Sequence, residues 1–346
     1  MNQEKKLTIY DIAEIAGVSA STVSRVINNS GYVAPAKREL VIKVIEENEY
    51  KPNALAQGLS TRHSQTIGML VPDAINPFFA TIFVTLEKEA AKYGYNVILC
   101  NYGNNIEETQ RQIQVLVTKQ ADVVVSLGGP TDLVNMPEDV LSRIKGIVKD
   151  VPVITNGGNF DGAFYSAAID DEPAVMKMIK DAYELGHRRF ALIGGSAKYI
   201  PTYTKQQAFM RAIREAGLPE DAGIIIDYDN FDRFGGARCV EILENEYKDR
   251  FPTIVIGINE AVAIGACHEL IGRGYSVPGD VSVAGFDNTY LATFCVPELT
   301  SIGCDYEKYA RKLMKVILDV LDGKSVKKSC KIESRYERRA SIGEAR

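Results

Sequence analysis

Hydrophobic positions change their period along the chain. Over the first fifty residues they follow helical spacing: Ile9, Ile12, Ile15 and Ala16, then a stretch from Ala20 to Ile27, then Leu40, Val41, Val44 and Ile45. This predicts three short helices and no strand. Thr8 is placed to cap the first helix, and Gly17 to end it. Ser19 is placed to cap the second, and Pro35 suits the first turn of the third, where its missing N–H costs nothing. Gly17-Val18-Ser19 joins the first two helices with helix-turn-helix spacing.

From residue 66 short apolar runs alternate with amphipathic stretches. The runs are 66–71, 96–100, 122–127, 152–155, 189–194, 223–227, 253–258 and 281–285. The helical stretches are 78–93, 106–119, 173–186, 203–216, 234–248 and 260–273. Repeated strand–helix alternation predicts doubly wound parallel sheets. So many strands fit two lobes better than one sheet, with the boundary between 155 and 170. Residues 299–304, a helix at 306–322 and a strand at 329–337 have the elements to cross back between lobes. Ligands of such folds bind at the carboxyl ends of the strands. The expected organisation is a headpiece (1–50), a linker (51–65) and a two-lobed core (66–340). The linker segment from Lys51 to Ser60 holds one or two helical turns, begun by Pro52 and weakened by Gly58. So short a helix is marginal unless something holds it.

Composition narrows the function. The 346 residues are 46% hydrophobic and 25% charged, which is globular, and the net charge of −5 excludes a uniformly basic nucleic-acid coat but not a local basic face. No apolar run approaches the ~18 residues of a membrane span, and the N-terminus lacks an apolar signal core. A cytoplasmic protein is expected, nucleoid-associated when bound to DNA. The six cysteines include no CxxC pair and none stands beside one of the three histidines, so no metal site and no cofactor are expected. There is no GxGxxG after a strand, no GxxxxGK[ST] and no GxSxG, so no catalytic residue is assigned and an enzyme is not expected.

Several motifs in order resemble the LacI/GalR family of repressors. They are Leu7-Thr8-Ile9-Tyr10-Asp11-Ile12-Ala13, Ala16-Gly17-Val18-Ser19, and Thr22-Val23-Ser24-Arg25-Val26-Ile27-Asn28. Tyr50-Lys51-Pro52-Asn53-Ala54 with Ala56-Gln57-Gly58-Leu59 resembles the family's hinge helix. Thr66-Ile67-Gly68, Val71-Pro72-Asp73, Asn76-Pro77-Phe78-Phe79, Gly186-His187 and the run from Asp280 to Asp287 are similar to landmarks of its core. The resemblance implies an all-α helix-turn-helix headpiece and a two-lobed, periplasmic-binding-protein-like α/β core. It also implies a homodimer on a pseudo-palindromic operator, controlled by a sugar, sugar phosphate or sugar acid. A periplasmic sugar-binding protein shares the core but would need a signal peptide and no headpiece.

Small residues at the start of the second helix let its backbone approach base edges in a major groove. Ala20, Ser21 and Arg25 match positions that read bases in the family, and an arginine can give guanine two donors. Ser19, Thr22 and Ser24 suit phosphate oxygens, with Asn28, Tyr32 and Lys37 as further backbone contacts. Tyr10 reads equally well as a contact or as a core-edge tyrosine, and Arg25 could instead pair with Asp11 or Glu14. Six basic against four acidic residues over 1–45 give a thin positive charge. Asn53, Ala56, Gln57 and Leu59 would lie in the minor groove, where the matching leucine of the family wedges between bases.

For the effector, the candidates are Asp73, Asn76, Phe78, Phe79, Lys205, Asn259 and Asp287. Aromatic faces can stack on a ring, and a carboxylate can accept sugar hydroxyls. Asn259 and Asp287 also read as helix caps. Lys205 stands where many relatives have arginine, and Gly157 where many have aspartate. Both changes predict a more positive cleft, suited to a phosphorylated or acidic sugar. Val296 replaces the arginine of members that answer to a phosphorylated carrier protein, which argues against that partner.

Overall fold

The computed structural model describes residues 7–27, 31–50, 64–103, 105–324 and 329–346. The chain forms two compact units, residues 1–65 and 66–346. Asn28, Asn53, Ala56, Gln57 and Leu59 lie outside the described residues.

The first unit holds α1 (Ile9–Ile15), α2 (Ala20–Ile27) and α3 (Pro35–Glu47). At the start of α1 the Thr8 side chain accepts from the Asp11 N–H, while the Asp11 carboxylate accepts from the Thr8 N–H at 2.6 Å. This reciprocal cap satisfies two backbone donors that a helix start leaves unpaired. Gly17 takes the left-handed turn (φ +61°) that ends α1. Ser19 Oγ accepts from the Thr22 N–H at 3.2 Å, which starts α2. The core is Ile12, Ala13, Ala16, Val23, Val26, Val41 and Val44, one face from each helix.

The second unit holds two six-stranded sheets. In chain order its elements begin β1 (Thr66–Val71), α4 (Pro77–Ala91), β2 (Asn96–Asn101), α5 (Ile106–Thr118), β3 (Val123–Ser126) and α6 (Glu138–Val148). Then come β4 (Val153–Thr155), β5 (Tyr165–Asp170), α7 (Glu172–Glu184), β6 (Phe190–Ile193), α8 (Ile200–Glu215) and β7 (Gly223–Ile226). The chain continues with α9 (Arg233–Glu246), β8 (Ile254–Gly257), α10 (Glu260–Gly272), β9 (Ser282–Phe286) and the short α11 (Leu291–Phe294). It ends with β10 (Thr300–Gly303), α12 (Tyr306–Leu321), β11 (Ser329–Glu333) and β12 (Arg335–Glu337).

The sheet orders are β11-β5-β4-β3-β1-β2 and β12-β10-β9-β8-β6-β7, so the lobes repeat one topology. All pairings are parallel except β10 with β12. Strands β3, β6, β8, β9 and β10 are buried along their whole length, because helices cover both faces of such sheets.

Four features differ from the sequence reading. Residues 165–170 form a strand of the first lobe, not a boundary; Tyr165-Ser-Ala-Ala-Ile-Asp has no strong apolar run, and its place between β4 and β11 makes it a strand. Helix α6 follows Pro137 in a segment with no predicted helix. The single strand expected at 329–337 is two strands, one in each lobe, because the chain crosses between lobes at Ser334. The core also extends past 340. Ser341 Oγ donates to the Val283 carbonyl and accepts from the Thr300 N–H, and Ala345 N–H donates to the Leu185 carbonyl. His187, half of an expected landmark, lies under this tail with one ring nitrogen 3.0 Å from the Gly343 carbonyl and the other 2.9 Å from Thr253 Oγ1.

Candidate functional site

The exposed face of α2 carries Ser21 and Arg25, while Val23 and Val26 point into the headpiece core. Ala20 packs partly against that core, leaving only part of its surface outward. At the start of α2, Ser19 Oγ lies 2.8 Å from Ser21 Oγ and 2.9 Å from Thr22 Oγ1. The helix thus begins with three linked hydroxyls at its positive end, an arrangement suited to a phosphate oxygen. Ser24, one turn on, is half-buried. Arg25 forms no ion pair with Asp11 or Glu14 among the described residues, and the Asp11 carboxylate is held by Thr8. Tyr10 is 74% exposed and Tyr32 86% exposed, so neither is a core-edge tyrosine. Lys37 is exposed near the start of α3.

In the second unit, a cleft of about 1040 Å³ opens at the carboxyl ends of the strands of both lobes. It is lined by all seven candidate effector residues, from Asp73 to Asp287. The geometry separates their roles. Phe78 and Phe79 meet edge to face with ring centroids 5.0 Å apart, on an α4 whose start is capped by Asn76 accepting from the Phe78 N–H at 3.0 Å. Asp73 accepts from the Ile75 N–H at 3.0 Å and is exposed.

Asn259 takes the cap role that its position also allowed. Its Oδ1 accepts from the Val262 N–H at 2.8 Å and its Nδ2 donates to the Phe231 carbonyl at 2.9 Å. Asn259 is therefore the cap of α10 and a clamp on the loop carrying Phe231. Asp287 is the reverse case. It caps no helix, sits at φ +100° after β9, and its buried carboxyl is pushed up to about 6 by desolvation, with Lys205 pulling it down and Asp171 adding to the rise.

Lys205 explains why the cleft is not more positive. Its ammonium lies 3.8 Å from Asp171 and 4.3 Å from the centre of the Phe286 ring, and donates to the Ile258 carbonyl at 3.2 Å. With Asp287 also beside it, the single charge faces two carboxylates. Among the described residues lining the cleft, eight are acidic and five basic.

Other lining residues escaped the sequence reading. Tyr199 and Phe231 meet edge to face at 5.8 Å on the second lobe. Asp132 and Asn156 lie on the first lobe, after β3 and β4. The Gly128-Gly129 turn, both at positive φ, brings the Gly128 N–H to 2.8 Å from Asp132 Oδ2. The signal available in the sequence was position, because each of the four follows a strand end. The lobes also touch beside the cleft, where the Val134 N–H donates to the Lys198 carbonyl at 2.8 Å.

Burial pushes the thiols of Cys239 and Cys304 up to about 12, and the six cysteines form no disulfide. Among the described residues no cluster of three or more His, Cys, Asp or Glu side chains could hold a metal ion, and no helix is long and apolar enough to cross a membrane.

A helix-turn-helix unit joined to a two-lobed cleft defines a ligand-responsive DNA-binding protein. Comparison with known proteins gives the family. Residues 8–53 match the model of bacterial regulatory proteins of the lacI family, and residues 179–342 match a periplasmic binding protein-like domain. The chain is 33% identical over 298 residues to catabolite control protein A of Priestia megaterium, covering 86% of this chain and 87% of that protein. It is 31% identical to the transcriptional repressor PurR of Vibrio atlanticus, covering 93% and 94%. In structure it resembles the lac repressor dimer bound to operator and the anti-inducer ONPF, with a TM-score of 0.82, 22% identity and coverage of 98% and 100%. It also resembles a complex of the regulator CelR with cellobiose, with a TM-score of 0.69, 25% identity and coverage of 97% and 99%. The chain belongs to the lacI family of bacterial transcriptional regulators, and is not an enzyme.

Proposed function

We propose that this regulator is a repressor that binds a pseudo-palindromic operator as a homodimer and is controlled by an uncharged sugar held between the core lobes. The observation that carries the effector class is the position of Lys205 beside Asp171 and Asp287, which offset its positive charge. Phe78, Phe79 and Phe231 supply ring faces, and Asp287 an acceptor. The relatives support a sugar, since CelR is described in complex with cellobiose and a lacI-family regulator of Enterococcus faecium with ribose.

On the headpiece, Ser21 and Arg25 are the base readers, with Ala20 allowing close approach. Ser19, Thr22, Ser24, Tyr10, Tyr32, Lys37 and Asn28 make backbone contacts. Asn53, Ala56, Gln57 and Leu59 act in the minor groove. Residues 1–50, 51–65 and 66 onward serve as reader, hinge and sensor, and α4 and α10 offer the dimer faces. The protein works in the cytoplasm, on the nucleoid when bound. Effector and operator must then change each other's affinity by one factor, typically about 5–150-fold.

The test is selection of random duplex DNA by the full chain, followed by titration of the selected site with neutral sugars, sugar phosphates and sugar acids. An enriched pseudo-palindrome whose affinity responds to a neutral sugar is expected. Absence of sequence enrichment would refute the operator reading. A response to phosphates or acids alone would refute the effector class.

A further inference from the structure

Two polar atoms on the first lobe are buried without a partner. Asp132 Oδ1 and Asn156 Oδ1 are both closed off from solvent and accept no hydrogen bond from the described residues. Leaving a buried acceptor unpaired costs stability, so such atoms call for an explanation. Both residues line the cleft, at the ends of adjacent strands β3 and β4. A side-chain carbon built on Gly157, the residue after Asn156, would stand 3.3 Å from Asp132 Oδ1 and 3.0 Å from Ile200 Cγ2. Glycine at 157 therefore keeps this corner open.

The same corner accounts for the aspartate missing at position 157. A carboxylate is present there after all, delivered from the neighbouring loop by Asp132. The lobes repeat one topology, in which β3 and β4 correspond to β8 and β9. The loops after β8 and β9 carry Asn259 and Asp287, and those after β3 and β4 carry Asp132 and Asn156. At these two matching places each lobe carries one carboxylate and one amide, the Asn259 amide being engaged by Val262 and Phe231.

We propose that Asp132 and Asn156 form an acceptor subsite that takes hydroxyl donors of an uncharged polyhydroxylated ligand. This rests on reading the cleft as the effector site. With Asp132 ionised both free atoms are acceptors, so the matching ligand group is a donor. Oδ2 of Asp132 is already fixed by the Gly128 N–H, which leaves Oδ1 preset in direction. Burial pushes this carboxyl up to about 7, with the hydrogen bond from the Gly128 N–H pulling it down. A ligand hydroxyl would add a further donor to the ionised form and strengthen it.

The experiment is calorimetric titration of the full chain with neutral mono- and disaccharides, amino sugars, sugar phosphates and sugar acids. Any sugar that binds is then compared with its single-deoxy analogues on wild type, Asp132→Asn and Phe79→Ala. A neutral sugar should bind, one deoxy analogue should bind about 10- to 100-fold more weakly, and Asp132→Asn should abolish that discrimination. Loss of packing alone would weaken parent and analogue equally, which would overturn the subsite. If Phe79→Ala weakens binding while Asp132→Asn leaves both affinity and discrimination intact, the cleft reading stands and the subsite falls. If neither variant changes binding, the cleft reading itself falls. Binding confined to phosphates, acids or amino sugars, or no binding at all, overturns the uncharged-donor class.

Discussion

Replacing Lys205 with methionine keeps the length of the side chain and removes its charge. In the wild type the ammonium stands 3.8 Å from Asp171, with 12% and 16% of the two side chains exposed. At an effective dielectric of about 20, two unit charges at that distance attract by roughly 4 kcal/mol. Desolvation offsets part of this, but removing one partner leaves the other charge buried, which costs about 3–5 kcal/mol for a fully buried pair. Partial exposure lowers the expectation to about 2–3 kcal/mol, or roughly 3–5 °C in melting temperature at this domain size.

The sign with pH follows from Asp287. Its folded pKa is raised from 3.8 to about 6, so its contribution is fully present below about 4 and lost as pH rises through about 6. Lys205 holds that value down. Without it the carboxyl rises further, so the variant loses most relative to wild type above pH 7 and least at pH 5. Calorimetric melting of the full chain at pH 8 and pH 5 reads this difference. An equal loss at both pH values, or none at pH 8, would refute the electrostatic account.

Three other outcomes are expected. A Cβ at position 236 would stand 2.0 Å from the Val262 carbonyl oxygen, so Gly236→Ala must push α9 and α10 apart. It should lower stability by about 1–3 kcal/mol or more despite a helix-propensity gain of about 1 kcal/mol, and an unchanged or raised melting temperature would contradict the close packing. Asp132→Asn removes a carboxyl whose pKa rises from 3.8 to about 7, so its stabilising effect is present below about 4 and lost towards pH 7. The ligand-free variant should therefore melt higher relative to wild type at pH 8 than at pH 5, and the opposite trend would show the carboxyl to be stabilised as an anion. Arg25→Ala should cost about 1–3 kcal/mol of operator binding and relax one base pair per half-site, measured on a set of single-substitution operators. A uniform loss across the set would make Arg25 a phosphate contact.

Local chemistry made much of this protein legible in its sequence. Thr8, Gly17, Ser19 and Pro35 set the headpiece helices through their own backbone hydrogen bonds and dihedral preferences, each within one turn of the chain. Buried parallel strands announce themselves as continuous apolar runs, because helices cover both faces. The candidates after β1, β8 and β9 followed from the strand ends themselves. Segment 165–170 gave no such signal; it is a strand because β4 and β11 flank it.

The character of the cleft was decided elsewhere. Lys205 reads as an added positive charge until Asp171, 34 positions earlier, and Asp287, much later, are brought beside it. Asn259 reads equally as a ligand contact or a cap, and only the fold shows its amide holding Val262 and Phe231 at the edge of the cleft. Asp132 and Asn156 signal only by following strand ends, and the pairing of β3 with β4 brings their loops to the same side of the cleft, with no side chain at Gly157 to crowd Asp132 Oδ1. Caps, turns and strand periodicity depend on neighbours within a few residues, which the sequence writes down directly. The charge and hydrogen-bonding capacity left over in a cleft depend on which distant groups neutralise or satisfy one another, and folding alone determines that.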